Sequence, residues 1–444
     1  MLSPLSNPIY RRLFLAQVLS LLGTGLATVA LGLLAFELAG ADAGAVLGTA
    51  LAIKMTAYVG IAPVAGAFVH LVPRRTLLVA LDALRAAVAL VLPFVTEVWQ
   101  VYVLIFLLQA GSAAFTPAFQ ATIPDILPGE AEYTKALSLS RLAYDLEALA
   151  SPVIAAALLG VIGFPWLFGL NALGFLASAA LVLSVVLPSP EPTATEEGAW
   201  GRTTRGARIY LATPRLRGLL ALNLSVAAAG AMVIVNTVVL VRGGFGLGDR
   251  EVAWTLAAYG LGSMAAALAL PRLLGPRVTD RAAMLAGAGL LVAGLLLGPL
   301  APSWPALLPV WTLLGLGNGL VLTPSGRLLR RSAHPGDRPA LFAAQFALSH
   351  ACWLVTYPLA GGLGAAVGLG PTFLILAALA MAGLGVAAAL WPRSDPDAIE
   401  HDHADLPAEH PHRVADHGPV PTGPGGFRHR HAFVIDDLHR HWPR

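Results

Sequence analysis

Long apolar runs, each broken by a short polar or basic stretch, fill residues 12 to 391. A helix needs about 20 apolar residues to cross the bilayer hydrocarbon. On that ruler the pattern predicts twelve membrane helices, near 12–36, 44–69, 76–95, 98–120, 137–160, 165–187, 215–241, 250–271, 282–300, 304–325, 340–367 and 370–391. The first run follows Arg11-Arg12 in the manner of a signal peptide. Its apolar stretch is far longer than the roughly 7–15 residues of a signal core, so it reads as the first span. Polar composition returns only in the middle and at the end. The predicted organisation is a six-helix half (1–187), a linker (188–214), a second six-helix half (215–391) and a tail (392–444).

The two halves echo each other in parallel order. Thr116-Pro117 is followed by Pro128-Gly129-Glu130, and 207 residues later Thr323-Pro324 is followed by Pro335-Gly336-Asp337. The same offset carries Arg74 onto Arg281, and an offset one shorter carries Pro152 onto Pro358. A duplicated, all-α membrane body of this kind has the build of a secondary transporter. Its site is expected near the midplane, between the repeats.

Composition narrows the function. Hydrophobic residues make up 57% of the chain and charged residues 12%, about half the ~25% charge of soluble domains. The basic residues gather in loops on one side of the spans: Arg11, Arg12, Arg74, Arg75, Lys135, Arg202, Arg205, Arg208, Arg215, Arg217, Arg272, Arg277, Arg281, Arg327, Arg330, Arg331, Arg338 and Arg393. Only Arg242 and Arg250 fall in loops on the other side. This bias predicts a multi-pass protein of the cytoplasmic (inner) membrane with both termini and the linker in the cytoplasm. The basic balance therefore reflects topology and does not imply nucleic acid. A single cysteine, Cys352, excludes an intramolecular disulfide and any multi-cysteine metal cluster. No G-x-x-x-x-G-K-[ST] loop is present, so an ion gradient rather than ATP is the expected energy source. Nothing suggests a folded enzyme domain. The expected partners are the bilayer, protons and a small solute or metal ion.

Charges in or beside the spans need a reason, since one at mid-bilayer costs ~2.5–3.5 kcal/mol on insertion scales. They are Glu37, Lys54, Asp82, Arg85, Arg141, Asp145 and Glu147, with His350 able to charge. Asp82 and Arg85 are i,i+3 neighbours, and Arg141 and Asp145 are i,i+4 neighbours, so both read as structural pairs, the first bracing the loop arginines. Glu147 is left over, four residues before Ser151-Pro152. Partly desolvated, it suits a proton carrier, with Asp145 as the fallback. Lys54 is its counter-ion, a snorkelling lysine or a gate residue. His350 aligns with helix five in the repeat and suits a packing role or a proton relay. Uncharged polar residues on the cavity helices are Gln17, Gln109, Asn223, Asn236 and Asn318.

The tail changes character completely. It holds His401, His403, His410, His412, His417, His429, His431, His439 and His441, nine of the chain's twelve histidines. Four H-x-H pairs place two imidazoles on the same side of an extended chain. Such a pair can bite one divalent ion, and imidazole suits nickel, copper and zinc. Transition-metal binding by the tail is the only cofactor chemistry expected. Its prolines and glycines predict a disordered segment up to Arg428, with Phe433-Val434-Ile435 docking on some surface, and no part in the membrane core.

These features together resemble the major facilitator superfamily, over residues 10 to 392. That superfamily's loop between helices two and three usually reads G-x-x-x-D-R-x-x-R-[RK]. Here Gly66, Arg74 and Arg75 match, and His70-Leu71 replaces the acidic-basic pair. Asp82 and Arg85, Phe115-Thr116-Pro117-Ala118, Pro124-Asp125 and Ser151-Pro152 resemble its exporter branch with siderophore and macrolide efflux proteins. The His-rich tail resembles that of nickel-resistance exporters. The resemblance implies alternating access and export by proton antiport. The leading expectation is efflux of a divalent transition metal, nickel or cobalt. The alternatives are an amphiphilic drug or siderophore as cargo, and a metal-sensing membrane protein.

Overall fold

The computed structural model describes residues 2–39, 43–68, 71–188, 198–274, 278–396, 398–403, 420–423, 426–436, 438–439 and 441–443. The first six long helices are α1 (Pro8–Ala39), α2 (Ala43–Phe68), α3 (Arg74–Val91), α4 (Val98–Ile126), α5 (Glu130–Leu159) and α6 (Pro165–Leu183). After them come α7 (Ala199–Ala212), α8 (Pro214–Val238), α9 (Asp249–Leu273), α10 (Asp280–Leu297), α11 (Trp304–Leu322), α12 (Ser325–Arg330), α13 (Arg338–Val367) and α14 (Leu369–Leu390). Among the described residues eleven helical stretches are long and apolar enough to cross a membrane. They become twelve when α5, bent by 41° between Ala148 and Val153, counts as one span. The all-α membrane fold expected from the hydrophobic pattern is therefore present, with helix ends within several residues of those predicted.

Helices α1 to α6 pack chiefly on one another, as do α8 to α11 and α14. The two groups meet where α2 lies along α13 and α5 along α9. Lipid tails are as apolar as leucine, so close backbone approach, not hydrophobicity, must hold such helices together. Gly262 and Gly315 illustrate this between α9 and α11. A Cβ on Gly315 would stand 1.8 Å from the Tyr259 carbonyl oxygen, and one on Gly262 would stand 2.0 Å from that of Thr312.

Two regions differ from a plain reading of their composition. The linker contains the helix α7, pinned by Arg205, whose Nε is 2.7 Å from Asp337 Oδ1. The tail is not simply unstructured up to Arg428: β1 (Ala398–His403), β2 (Val420–Gly423) and β3 (Gly426–Ala432) form an antiparallel sheet in the order β1-β3-β2. Alternation explains it. Ile399 and His401 share one face of β1, and His429 and His431 share one face of β3, so pairing Ile399 with His431 and His401 with His429 gathers one side of the sheet. On the opposite face Asp402 pairs across the strands with Arg428 at 2.7 Å. Phe433 and Ile435 then complete the core of the second helix group, contrary to the expectation that the tail takes no part in it.

Candidate gate, membrane carboxylate and metal centre

The arginine-rich ends of the helices are latched together. Arg74, at the start of α3, donates to Asp125 of α4 at 2.6 Å, and Arg338 of α13 donates to the other oxygen of the same carboxylate at 2.6 Å. Asp125 is thus shared between the halves. Glu130 accepts from Arg327, which also donates to Thr134 at 2.7 Å, and Arg330 donates to the Pro128 carbonyl. Tyr133 donates to the Gly326 carbonyl at 3.3 Å. Gly66 sits where α2 meets Ala343 of α13, while Arg75 is exposed and outside the latch. Arg74 and Gly66 stand out in the sequence as matches to the superfamily loop, whereas the pairing of Asp125, Glu130, Arg327 and Arg338 is not apparent there. The available signal was an acid just after Pro124 and another just after Pro128-Gly129, both opposite arginine-rich repeats.

Deeper in, Glu147 lies over Gly25 of α1, 3.5 Å from Ser151 Oγ. Lys54 is within electrostatic reach of both Glu147 and His350. Lys54 also stands 5.6 Å from the Tyr58 ring centroid. Tyr58 donates to Gln109 at 2.9 Å and meets His350 edge-on at 4.7 Å, so α2, α4 and α13 share one aromatic-polar cluster. The His350 Nδ1 faces the Phe346 carbonyl at 2.7 Å, which leaves Nε2 as its acceptor nitrogen.

Arg141 and Asp145 pair at 2.6 Å, and Arg141 also donates to Ser263 of α9 at 3.0 Å, tying the halves together. Asp82 and Arg85 pair too. Arg85 is sandwiched between Phe115 and Phe175, at 4.1 and 4.4 Å from their ring centroids. That pair holds α3, α4 and α6 together. Glu37 is exposed at the end of α1.

Several of the polar residues expected to line a cavity bond to neighbouring helices. Gln17 accepts from Ser140 at 3.0 Å, and Asn236 donates to the Ala360 carbonyl at 3.0 Å. Asn223 donates to Gln345 at 3.4 Å. Asn223, Asn236 and Asn318 are all buried. Asn223 and Asn236 brace neighbouring helices through these bonds. Of the five, Gln109 alone joins the Tyr58 cluster.

In the tail, imidazoles converge. His401 Nε2 lies 3.0 Å from His439 Nε2, 3.1 Å from His429 Nε2 and 3.2 Å from His431 Nε2. His401, His429 and His431 offer nitrogens all within 4.8 Å of one another. Their other nitrogens fix the tautomers. Nδ1 of His401 faces the Ile399 carbonyl at 3.2 Å, that of His431 the Ala432 carbonyl at 2.9 Å, and that of His439 the Asp436 carboxylate at 2.9 Å. Each of these Nδ1 atoms carries the hydrogen, so each Nε2 presents a lone pair. Lone pairs brought this close together suit a shared cation. A divalent ion held tetrahedrally at about 2.0–2.1 Å would space its nitrogens roughly 3.3 Å apart, close to the three spacings measured from His401.

Burial, and then the three neighbouring imidazoles, push His401 down to about 4, so it is neutral and able to ligate at physiological pH. Burial would raise Asp436, but hydrogen bonds from His334 and His439 outweigh it and hold that carboxyl far below its usual range. A charged carboxylate behind a ligating histidine is a common orienting partner in metal sites. Among the described residues, no other three His, Cys, Asp or Glu side chains are grouped in this way. His441 is exposed, the side chain of His403 and the whole of His410, His412 and His417 lie outside the described residues, and so does His70.

Comparison with known proteins agrees with this architecture. The solved human organic anion transporter MFSD10 superposes with a TM-score of 0.75 at 14% identity, over 86% of this chain and 99% of that one. A bacterial homologue of the iron transporter ferroportin, in its outward-facing state, gives 0.70 at 16% identity, over 86% and 98%. Both likenesses concern the fold. In sequence, macrolide efflux protein A of Enterococcus faecalis is 28% identical over 152 residues, which is 32% of this chain and 47% of that protein. The Streptococcus pyogenes protein of the same name is 28% identical over 152 residues and is covered over 37% of its length. The matched segment thus spans less than half of these curated relatives. The family model of the Major Facilitator Superfamily matches residues 13–281 and 219–433, so this multi-pass chain belongs to that superfamily, whose members are transporters and not enzymes.

Proposed function

We propose that the chain is an exporter of the cytoplasmic membrane, with both termini cytoplasmic, that moves a divalent transition metal, nickel or cobalt, outward in exchange for protons. The observation that carries the cargo is the cluster of His401, His429, His431 and His439 at the arginine-rich end, which this orientation puts in the cytoplasm. All-imidazole coordination suits nickel, cobalt, copper and zinc and is poor for magnesium or calcium. The tail would bind the ion on the side from which it is exported. Glu147, intramembrane and set among α1, α2 and α5 with Lys54 nearby, is the proposed proton carrier. The halves at 1–187 and 215–391 would rock about the site, with the Asp125 latch closing the cytoplasmic side.

An amphiphilic organic cargo is the second reading. It is favoured by the macrolide efflux relatives and by the aromatic cluster of Tyr58, Phe346 and His350 beside Gln109. Cells lacking their own exporters and expressing this chain separate the two. Under the first reading they lose preloaded nickel or cobalt faster than vector controls and show unchanged sensitivity to a macrolide. Macrolide resistance with unchanged metal loss would establish the second.

A further inference from the structure

The four-imidazole centre is not at the loose end of a tail. The sheet that builds it is fastened to the same loop that closes the gate. Asp395, just before β1, takes Arg215 at 3.0 Å and also Arg331. Arg215 donates in addition to Ser332 at 2.9 Å and to the Phe433 carbonyl at 3.4 Å, and its guanidinium stands 4.9 Å from the Trp442 ring centroid. Asp436, which orients His439, also meets His334 at 3.3 Å. Residues 331 to 337 are therefore gripped from the tail side. From the other side their neighbours Arg327, Arg330 and Arg338 hold Glu130, the Pro128 carbonyl and Asp125 of the first half. One short segment joins the metal centre to the latch.

We propose that His401, His429 and His431, completed by His439, bind one divalent transition-metal ion, and that its binding locks the tail sheet onto residues 331–337 and so favours the latched gate.

The physical logic is linkage. The ligands come from β1, from β3 and from the turn after it, so they converge only while the sheet is folded. An ion that binds only this arrangement stabilises whatever the arrangement touches. The sheet touches Arg215, Arg331 and His334, and through them the latch. The tail would then act as a metal-responsive brake on opening at the arginine-rich end. This deepens the exporter reading and rests on it only for the meaning of the brake. The ion site and its grip on the gate stand independently of what is transported.

The test uses the full chain in detergent with Cys352→Ala and Ala114→Cys. Ala114 lines a small cavity at the latch with Gly66, Pro117 and Pro339. Two readings are taken, zinc bound per chain and the rate at which N-ethylmaleimide alkylates the thiol introduced at position 114. The expected result is one zinc per chain. Alkylation should slow by up to about 100-fold when free zinc is 100 times its dissociation constant. The double variant His401→Ala/His429→Ala should lose both effects while keeping the helical content and elution volume of the parent.

Asp436→Asn keeps all four imidazoles and should weaken zinc by about 10- to 100-fold, as removal of an orienting carboxylate does. Zinc that binds the double variant as tightly as the parent would overturn the site. Zinc that binds with one ion per chain but leaves the alkylation rate unchanged would overturn the coupling. Failure of metal export in cells, with both zinc effects intact, would reject the cargo reading alone.

Discussion

Asp125 answers to two arginines, one from each half, and is only 8% exposed with Arg74 equally so. Removing one partner from such a buried group leaves charge uncompensated, which costs more than the pair contributes. Asp125→Asn should therefore loosen the latch and raise the alkylation rate of a thiol at position 114, with little change in helical content. An unchanged rate would show that the latch is held elsewhere. Asp82 differs in kind, because its partner Arg85 is enclosed by Phe115 and Phe175 within one helix group. Asp82→Asn should destabilise by about 3–5 kcal/mol, read as a lowered Tm of the purified protein. Glu147→Gln, by contrast, should leave Tm nearly unchanged and remove proton-driven transport. An equal drop in Tm for both would assign Glu147 to structure.

Some of these ion pairs are legible in the sequence and some are not. Pairs at i,i+3 and i,i+4 can be read directly, because helix geometry alone brings Asp82 to Arg85 and Arg141 to Asp145. The Asp125–Arg338 contact spans 213 residues and depends on how two helix groups close, which no local spacing encodes. Buried amides such as Asn223 and Asn236 are ambiguous in the sequence for a related reason. In a membrane span an amide marks either a pathway or a helix contact, and only the packing decides which.

At the scale of elements, the linker helix α7 works as a strap. Gly206 packs so closely that an added Cβ would lie 2.0 Å from the Ala340 carbonyl oxygen, beside the Arg205–Asp337 pair. Gly206→Ala should push α7 off α13 at a cost of about 1–3 kcal/mol, the usual range for overpacking. Thermal unfolding measures it, and an unaltered Tm would mean that α7 is not held there. The hydrophobic runs predicted the spanning helices well because length and apolarity suffice for them. They could not predict α7 or the tail sheet. Both are polar segments whose order comes from docking, through Arg205 on Asp337 for α7 and through Phe433 and Ile435 on the second half for the sheet. The H-x-H spacing did signal two imidazoles per face. It did not signal that His401 of one pair would meet His429 and His431 of another.

At the scale of the whole molecule, the structure is latched at its arginine-rich end and carries its histidine centre on that side. Truncation after Pro392 removes Asp395 and Phe433, and so strips Arg215 of an ion partner and a carbonyl. We expect the shortened chain to insert in the membrane with a lower Tm and to lose zinc binding altogether. Zinc bound by the shortened chain with undiminished affinity would place the metal centre in the helices. Proton-coupled metal export is the central claim, and inverted membrane vesicles test it most directly. With an acid interior, vesicles bearing the intact chain should accumulate radioactive nickel or cobalt, lose it when the pH gradient is collapsed, and accumulate none with Glu147→Gln. Vesicles that accumulate neither metal under that gradient, or a Glu147→Gln chain that accumulates as much as the parent, would contradict it.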